Sequence, residues 1–409
     1  MAQRIVFVNL HASWMLVRNS QVIYFKTSAA LKHKYILDYL LKSNEYEVCN
    51  YITEHGFSLV PKDGGILNLL HCLRFWENKN ILKKNGINPQ KITVLTNASE
   101  IRPDDIVILY NAMGDSNYEV ATDINGFKAL SMLHFHGRKD ENSKIEKANI
   151  NCYFNEVNLS QSSALYRKYY QIEKPWVVIP FVFAERFENI KPFGERLNKC
   201  FSTGTITYKE HEEFLSVYGN PCDQPVRKFV KDNPDFFKDT VDCYSSDYLE
   251  DEPGKKYVAG ENPLIRLYKK YYNLCHVGKQ KKYFSFNMVE KFNEYKMHVV
   301  GEEILGVPGI GYVEGMACGS AYIGLDSPMY RDLGLIPGVH YIAYDGTKEG
   351  LRRTVEKYQK EEFQGELERI ANCGSEYVRK NFCGDSVAKK LVDELRAKQT
   401  EWLEHIARA

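Results

Sequence analysis

The chain has 409 residues, 44% of them apolar and 26% charged, and its 54 Lys and Arg almost cancel its 53 Asp and Glu. That length exceeds the usual limit of a single hydrophobic core and points to two domains, while the balanced charge argues against a general nucleic-acid binder. Ten cysteines without a CxxC pair argue against a disulfide frame or a zinc site and for reduced, mostly buried thiols.

No window approaches the roughly 20 consecutive apolar residues of a membrane span. The amino terminus, "MAQRIVFVNLHAS", lacks a basic region followed by an apolar stretch and a cleavage site, so a cytoplasmic protein is expected. From there the chain alternates. "RIVFVNL" reads as a short strand, "AALKHKYILDYLLKSN" has helical spacing, and "GGILNLLHCLRFWENKNILKKNG" (Gly64–Gly86) reads as a longer amphipathic helix stopped by glycine. "KITVLT", "DDIVILYN", "ALSMLHFHG", "INCYFNEV" and "WVVIPFV" follow as strand-length apolar runs between polar turns. Such alternation predicts a mostly parallel sheet covered by helices on both faces. Ligands of such sheets sit beyond the carboxyl ends of the strands, where Asn111, His134, His136 and Glu156 fall.

The Pro- and charge-containing stretch within "VVIPFVFAERFENIKPFGERLNK" reads as a linker. After it the pattern restarts with "CFSTGTITYKEHEEFLSVYG", a strand running into a small-residue turn and a helix that Thr205 or Thr207 would cap. Helical segments "CDQPVRKFVKD", "PLIRLYKKYYNLCHVG" and "NMVEKFNEY" precede a strand "KMHVVG", and the run "VPGIGYVEGMACGSAYIG" (Val307–Gly324) leads on to "HYIAYDGTKEGLRRTVEKYQ" and a long amphipathic helix at the end. In that run a Gly-rich loop opens a short helix that a glycine stops before a strand. Backbone N–H groups at such a helix start can meet a phosphate. The same residues also make a tight α/β turn, and the run has neither Walker nor GxGxxG spacing. A dinucleotide-dependent oxidoreductase is disfavoured because "VFVNLHASW" offers no glycine after the first strand.

Two Rossmann-like halves, a crossing segment "VVIPFVFAERF", a fresh strand ending "FSTGT" and a late "YVEGMACGSAYIG" together resemble the GT-B glycosyltransferases. The resemblance implies an α/β protein of two Rossmann-like domains facing each other across a cleft. Residues 1–183 would form the acceptor domain, 184–197 a linker, 198–385 the nucleotide-sugar domain, and 386–409 a helix returning to pack on the first domain. Within the fold the chain most resembles bacterial retaining β-Kdo transferase modules of glycosyltransferase family 99, on its overall layout and on "CDQPVRKFVKDNPDFFKDT" (Cys222–Thr240). That resemblance implies transfer of β-Kdo from CMP-β-Kdo, without a metal or other cofactor, to an O-antigen or capsule-type glycan or its lipid-linked precursor. It implies no nucleic-acid partner, and a place in the cytoplasm or at the inner face of the inner membrane through other domains. One departure stands out. Many retaining relatives carry a second glutamate eight residues before the one in "EGMACG", and here Gly306 occupies that position while Glu314 is kept. A retaining hexosyltransferase using a UDP or GDP sugar, and a non-catalytic sugar-binding or scaffold module, are the alternatives.

The site residues implied follow from what the transfer requires. Ser202, Thr203, Gly204 and Thr205, with Gly309, Gly311 and Tyr312, would hold the phosphate through turn and helix-start amides, and Glu314 would hold the ribose. Each has a structural reading beside it, an ordinary strand-to-helix turn for "STGT" and a carboxylate answering the helix dipole for Glu314. A carboxylate nucleophile suits double displacement. Asp232 is chosen over Asp223, Asp235 and Asp239 because it closes a helix before "NP", although an Asp there is also a common solvated turn residue. His134 or Glu156 would take the acceptor's proton, and Arg266, amid apolar neighbours, would meet the Kdo carboxylate.

Overall fold

The computed structural model describes residues 2–8, 28–51, 87–110, 121–132, 140–170, 173–247, 262–280 and 286–408. The chain divides into two compact units, one made of Met1–Gln161, Leu165–Ala184 and Asn381–Ala409, the other of Ser162–Ala164 and Glu185–Lys380.

The first unit runs β1 (Gln3–Val8), α1 (Ser28–Lys42), β2 (Tyr46–Tyr51), β3 (Thr93–Leu95), β4 (Ile106–Tyr110), β5 (Phe127–Ser131), α2 (Asp140–Lys147), β6 (Cys152–Asn155), α3 (Leu159–Ser162), α4 (Ala164–Tyr169) and β7 (Trp176–Val178). Its strands form a seven-stranded sheet in the order β3-β2-β1-β4-β5-β6-β7, and every pair in it is parallel. Both faces of the central strands are buried, which is why residues 5–8 of β1 and the whole of β4 read as unbroken apolar runs with no polar alternation. Ile5, Phe7, Leu37, Leu40, Ile106 and Phe154 share one core. The order reverses direction between β1 and β4, and the chain after both strand ends, with the helix expected over Gly64–Gly86, lies outside the described residues.

The second unit runs β8 (Leu197–Ile206), α5 (Glu212–Tyr218), α6 (Pro225–Asp232), α7 (Pro234–Phe237), β9 (Val241–Asp247), α8 (Pro263–Gln280), α9 (Met288–Glu294), β10 (Tyr295–Val299), α10 (Gly311–Ala317), β11 (Ala321–Leu325), α11 (Pro328–Arg331), β12 (Ile342–Tyr344), α12 (Lys348–Gln359) and α13 (Gln364–Asn381). The five parallel strands take the order β12-β11-β10-β8-β9. Local chemistry starts the helices: Pro225 stands in the first turn of α6, where its missing N–H costs nothing, and the side chains of Asn287, Ser327 and Thr347 cap α9, α11 and α12. The core gathers Cys200, Val230, Met297, Ile323, Leu351 and Ile370. The last helix, α14 (Gly384–Arg408), belongs to the first unit, where Val387, Ala388, Leu391, Val392 and Leu395 join that unit's core.

Two local expectations are corrected. "STGT" is not a turn, because β8 runs through it and stays paired with β9 as far as Ile206 opposite Asp247. Neither Thr205 nor Thr207 caps the next helix. His211 does, its imidazole accepting from the backbone N–H of Phe214 at 3.3 Å.

Candidate functional site

In the second unit the chain leaves β8 to one side for β9 and returns to the other side for β10. The carboxyl ends of β8 and β10 are therefore a topological switch point, the place where open α/β sheets bind ligands. Three connections meet there. The stretch after β8 and the stretch before α6 are joined by the Asp223 N–H donating to the Thr207 carbonyl at 2.9 Å, and the loop after β10 is tied in by the Ile304 N–H donating to the Asp223 carbonyl at 2.7 Å.

Arg227, in the first turns of α6, spans the switch point. Its Nη1 donates to the Thr205 carbonyl at the end of β8 (2.6 Å) and its Nε to the Val300 carbonyl just past β10 (2.5 Å). Glycines make room for it. A Cβ on Gly204, whose φ is +128°, would lie 2.5 Å from the guanidinium carbon, and one on Gly309 would lie 2.8 Å from Nη2 and 2.7 Å from the Gly301 carbonyl oxygen. Both glycines are thus required by close approach, and Gly204 also by its backbone angle.

Carboxylates surround this point. Buried Asp223 accepts from Lys209 Nζ at 2.7 Å and from Gln224 Nε2 at 3.2 Å, both on Oδ2. Buried Asp247, the last residue of β9, accepts on its own Oδ2 from the Tyr208 hydroxyl (3.0 Å) and Lys231 Nζ (3.1 Å). The second oxygen of each, Oδ1, has no hydrogen-bond partner, and neither do the buried hydroxyls of Ser202 and Thr203 on β8 or of Ser245 and Ser246 on β9. Buried polar atoms are nearly always satisfied, so such a concentration is what a site for a hydroxyl-rich ligand or ordered water leaves behind. Glu303 lies among Asp223, Lys209 and Arg227. Burial first, then the charge of Asp223, pushes its carboxyl up to about 7, while the two cations pull the other way.

The motif helix α10 is held by its carboxyl end. Arg196 Nη2 donates to the Cys318 carbonyl (2.9 Å) and Arg379 Nη2 to the Ala317 carbonyl (2.7 Å), two cations at the negative end of the helix dipole. Its other end carries buried Glu314 in the first turn. The loop before it is anchored by Glu302, which is buried and accepts from the Leu325 N–H (3.0 Å) and the hydroxyls of Tyr330 (2.7 Å) and Tyr322 (3.2 Å).

Of the residues singled out in the sequence, Gly204, Thr205 and Gly309 meet at Arg227, and Ser202 and Thr203 lie on the same strand. Gly311 is packed on Val300, and the ring of Tyr312 is buried against Tyr322 and Tyr330. Asp232 ends α6, 47% exposed and paired with Lys228 at 2.8 Å. It lies five residues past Arg227, about 140° round the helix. Arg266 is exposed on α8. Glu156 is buried just past β6 in the first unit, whereas His134, His136 and Asn111 lie outside the described residues. Sequence reasoning passed over Lys209, Arg227, Asp247 and Glu303. The available signal was the pair of strand-ending carboxylates in "VVGEE" and "YSSD".

No family model and no curated protein matches the chain. Solved structures do. Sucrose-phosphate synthase from Thermosynechococcus elongatus is similar over 97% of this chain and 98% of its own, with 11% identity and a TM-score of 0.51. Anabaena HepE in complex with UDP is similar over 97% and 100%, with 10% identity and a TM-score of 0.52. HepE in complex with UDP-glucose covers 96% and 99%, with 12% identity and a TM-score of 0.51. These neighbours, together with two successive parallel α/β sheets, show that the chain has the GT-B fold.

Proposed function

We propose that this chain is a glycosyltransferase that binds a nucleotide-sugar donor at the carboxyl end of the β8–β10 sheet. The observation that carries this reading is the group of buried oxygens without partners, Asp223 Oδ1 just before α6 and Asp247 Oδ1 at the end of β9 above all, beside a switch point lined by Lys209 and Arg227. Carboxylate oxygens of that kind suit ribose and sugar hydroxyls, and the two cations suit a phosphate leaving group in a low-dielectric site, with no metal needed. The GT-B neighbours crystallised with UDP and UDP-glucose support it.

The finer reading is transfer of β-Kdo from CMP-β-Kdo to a bacterial surface glycan with retention. It rests on the sequence resemblance and gives Asp232 the role of nucleophile, which requires its carboxylate to leave Lys228 and reach the anomeric carbon. The acceptor proton would pass to Glu156 or His134. The second reading, a hexosyltransferase using a UDP or GDP sugar, is favoured by the UDP complexes of HepE. Thermal unfolding with CMP, UDP and GDP at matched concentrations separates them, because a ligand held only by the folded state at 100 times its Kd adds about 2.7 kcal/mol. A shift with CMP alone supports Kdo transfer, and intact-mass analysis with CMP-Kdo should then show an adduct that Asp232→Asn abolishes. A shift with UDP or GDP alone supports the hexosyl reading. No shift with any nucleotide overturns both and leaves a sugar-binding scaffold.

A further inference from the structure

Two cations and two carboxyl groups face one another at the switch point. Lys209 comes from the stretch after β8, Arg227 from α6, Asp223 from the turn before α6 and Glu303 from the loop after β10. The backbone holds Glu303 in this place. The Ile304 N–H donates to the Asp223 carbonyl at 2.7 Å, the Glu303 N–H donates to the Val307 carbonyl at 2.8 Å, and the Glu303 carbonyl accepts from the Gly306 N–H at 2.9 Å. Asp223 is 2% exposed, and its Oδ1 has no hydrogen-bond partner among the described residues. Glu303 keeps some exposure to solvent, so the group is not sealed off.

Charge decides how these four groups meet a phosphate. Asp223 offsets one cation through its 2.7 Å bond to Lys209. The carboxylates of α6 and β9, Asp232 and Asp247, have lysines of their own, Lys228 at 2.8 Å and Lys231 at 3.1 Å. With Glu303 ionised the four groups therefore sum to zero, and with Glu303 neutral they carry one positive charge in excess. Only the second state has a net attraction for an anion. A neutral carboxyl also has an O–H to donate, whereas a carboxylate sets its lone pairs against those of the phosphate. We infer that Glu303 binds the phosphate of the nucleotide donor as a neutral carboxylic acid, its O–H donated to a phosphate oxygen, so that binding above neutral pH takes up a proton from solvent. Burial and the charge of Asp223 raise the Glu303 carboxyl to about 7 and so keep it largely protonated below that pH, while Lys209, Arg227 and a hydrogen bond with Gln224 oppose them. The inference rests on the reading of this switch point as the donor site and holds for whichever nucleotide binds there.

The test is titration calorimetry of the full chain with the methyl ester of CMP, UDP-glucose and GDP-mannose, whose phosphate groups keep a constant charge from about pH 5 to 9. Whichever probe binds should hold its affinity below about pH 6 and lose up to about tenfold per pH unit above 7. At pH 8, runs in buffers of different ionisation enthalpy should show about one proton taken up per probe bound. Glu303→Gln has a neutral amide that donates an N–H at every pH, so its affinity should stay level across the range, with no proton uptake and tighter binding than wild type at pH 8. A purely structural role for Glu303 changes the melting midpoint without moving the proton count, and the wild-type count stands whether or not the variant folds. A probe that binds equally well across the range, binding at pH 8 without proton uptake, or an equal fall in Glu303→Gln overturns the inference and leaves the donor site in place. No binding by any probe at any pH overturns the donor site and the inference with it.

Discussion

Glu303 and His298 place opposite pH dependences inside one unit. The carboxyl of Glu303 is raised by burial to about 7 from an ordinary value of 4.5. Between those pH values the folded chain keeps a proton that the unfolded chain has released, so this group's contribution to stability falls as pH rises through that window. Glu303→Gln removes the term, and its urea midpoint should therefore gain on wild type from pH 4.5 to 7 and hold a constant difference above. His298 runs the other way. Its imidazole is fully buried, bonds Ser320 Oγ at 3.1 Å through Nδ1, and is held by burial down to about 3. Below its ordinary value of 6.5 the unfolded chain takes up a proton that the folded one refuses, so stability is lost as pH falls from 6.5 towards 3. His298→Phe gives up the Ser320 bond and should be less stable than wild type at pH 7, with the gap closing as the medium is acidified. Denaturant melts of the two variants across pH 3 to 8 check both signs. Neither residue announces this in the sequence, because each shift comes from neighbours that only the fold supplies: Asp223 is 80 positions from Glu303, and Arg196 is 102 from His298.

At the scale of the element, α10 shows what the motif glycines do. Gly315 packs on the imidazole of His298, where a Cβ would come within 2.3 Å of Nε2. Alanine is the better helix former by about 1 kcal/mol, yet Gly315→Ala should cost about 1–3 kcal/mol, because a buried ring on a central strand must shift. Gly365, in the first turn of α13, has nothing within 4 Å of a Cβ position. Gly365→Ala should instead add about 0.4–1 kcal/mol, and chemical denaturation of the pair separates packing from propensity. The same distinction explains which elements were legible. β11 read correctly because buried parallel strands are short continuous apolar runs. "STGT" did not, because a glycine inside a strand signals close approach as readily as a turn, and the approaching group, Arg227, lies 23 residues further on. The cap at His211 was missed because imidazole is a rare cap and two threonines stood nearby. The glycines at the switch point could be picked out from the runs "STGT" and "VPGIG" and the resemblance that these carry. The cations and carboxylates around them could not, since no spacing rule links Lys209, Asp223, Asp247 and Glu303 before the sheet order is known.

The whole chain folds around two separate cores, and their sequence extents differ in kind. The second unit's core is drawn from Phe193 to Ala371 without interruption, whereas the first unit's core closes only when α14, at the far end of the chain, delivers Val387, Ala388, Leu391, Val392 and Leu395 to strands and helices within the first half. Further contacts fix α14 there: a Cβ on Gly384 would strike the Tyr35 ring, Gln399 Nε2 donates to the Asp104 carbonyl at 2.8 Å, and the Trp402 ring sits 5.9 Å from that of Phe127. Leu391→Ala should accordingly cost about 2–5 kcal/mol, the range for a large-to-small change in a packed core. Its effect should be confined to the first unit. Native-state hydrogen exchange is the measurement, because protection reports each cooperative region by itself. The amides of β1, β4 and β5 should lose protection in the variant while those of β8, β10 and β11 keep theirs, and the midpoint shift given by a bound nucleotide should persist, since every residue assigned to the donor site lies in the second unit. Equal loss of protection in both sheets would mean that the two cores unfold as one cooperative body, and the nucleotide shift would then report on the whole chain.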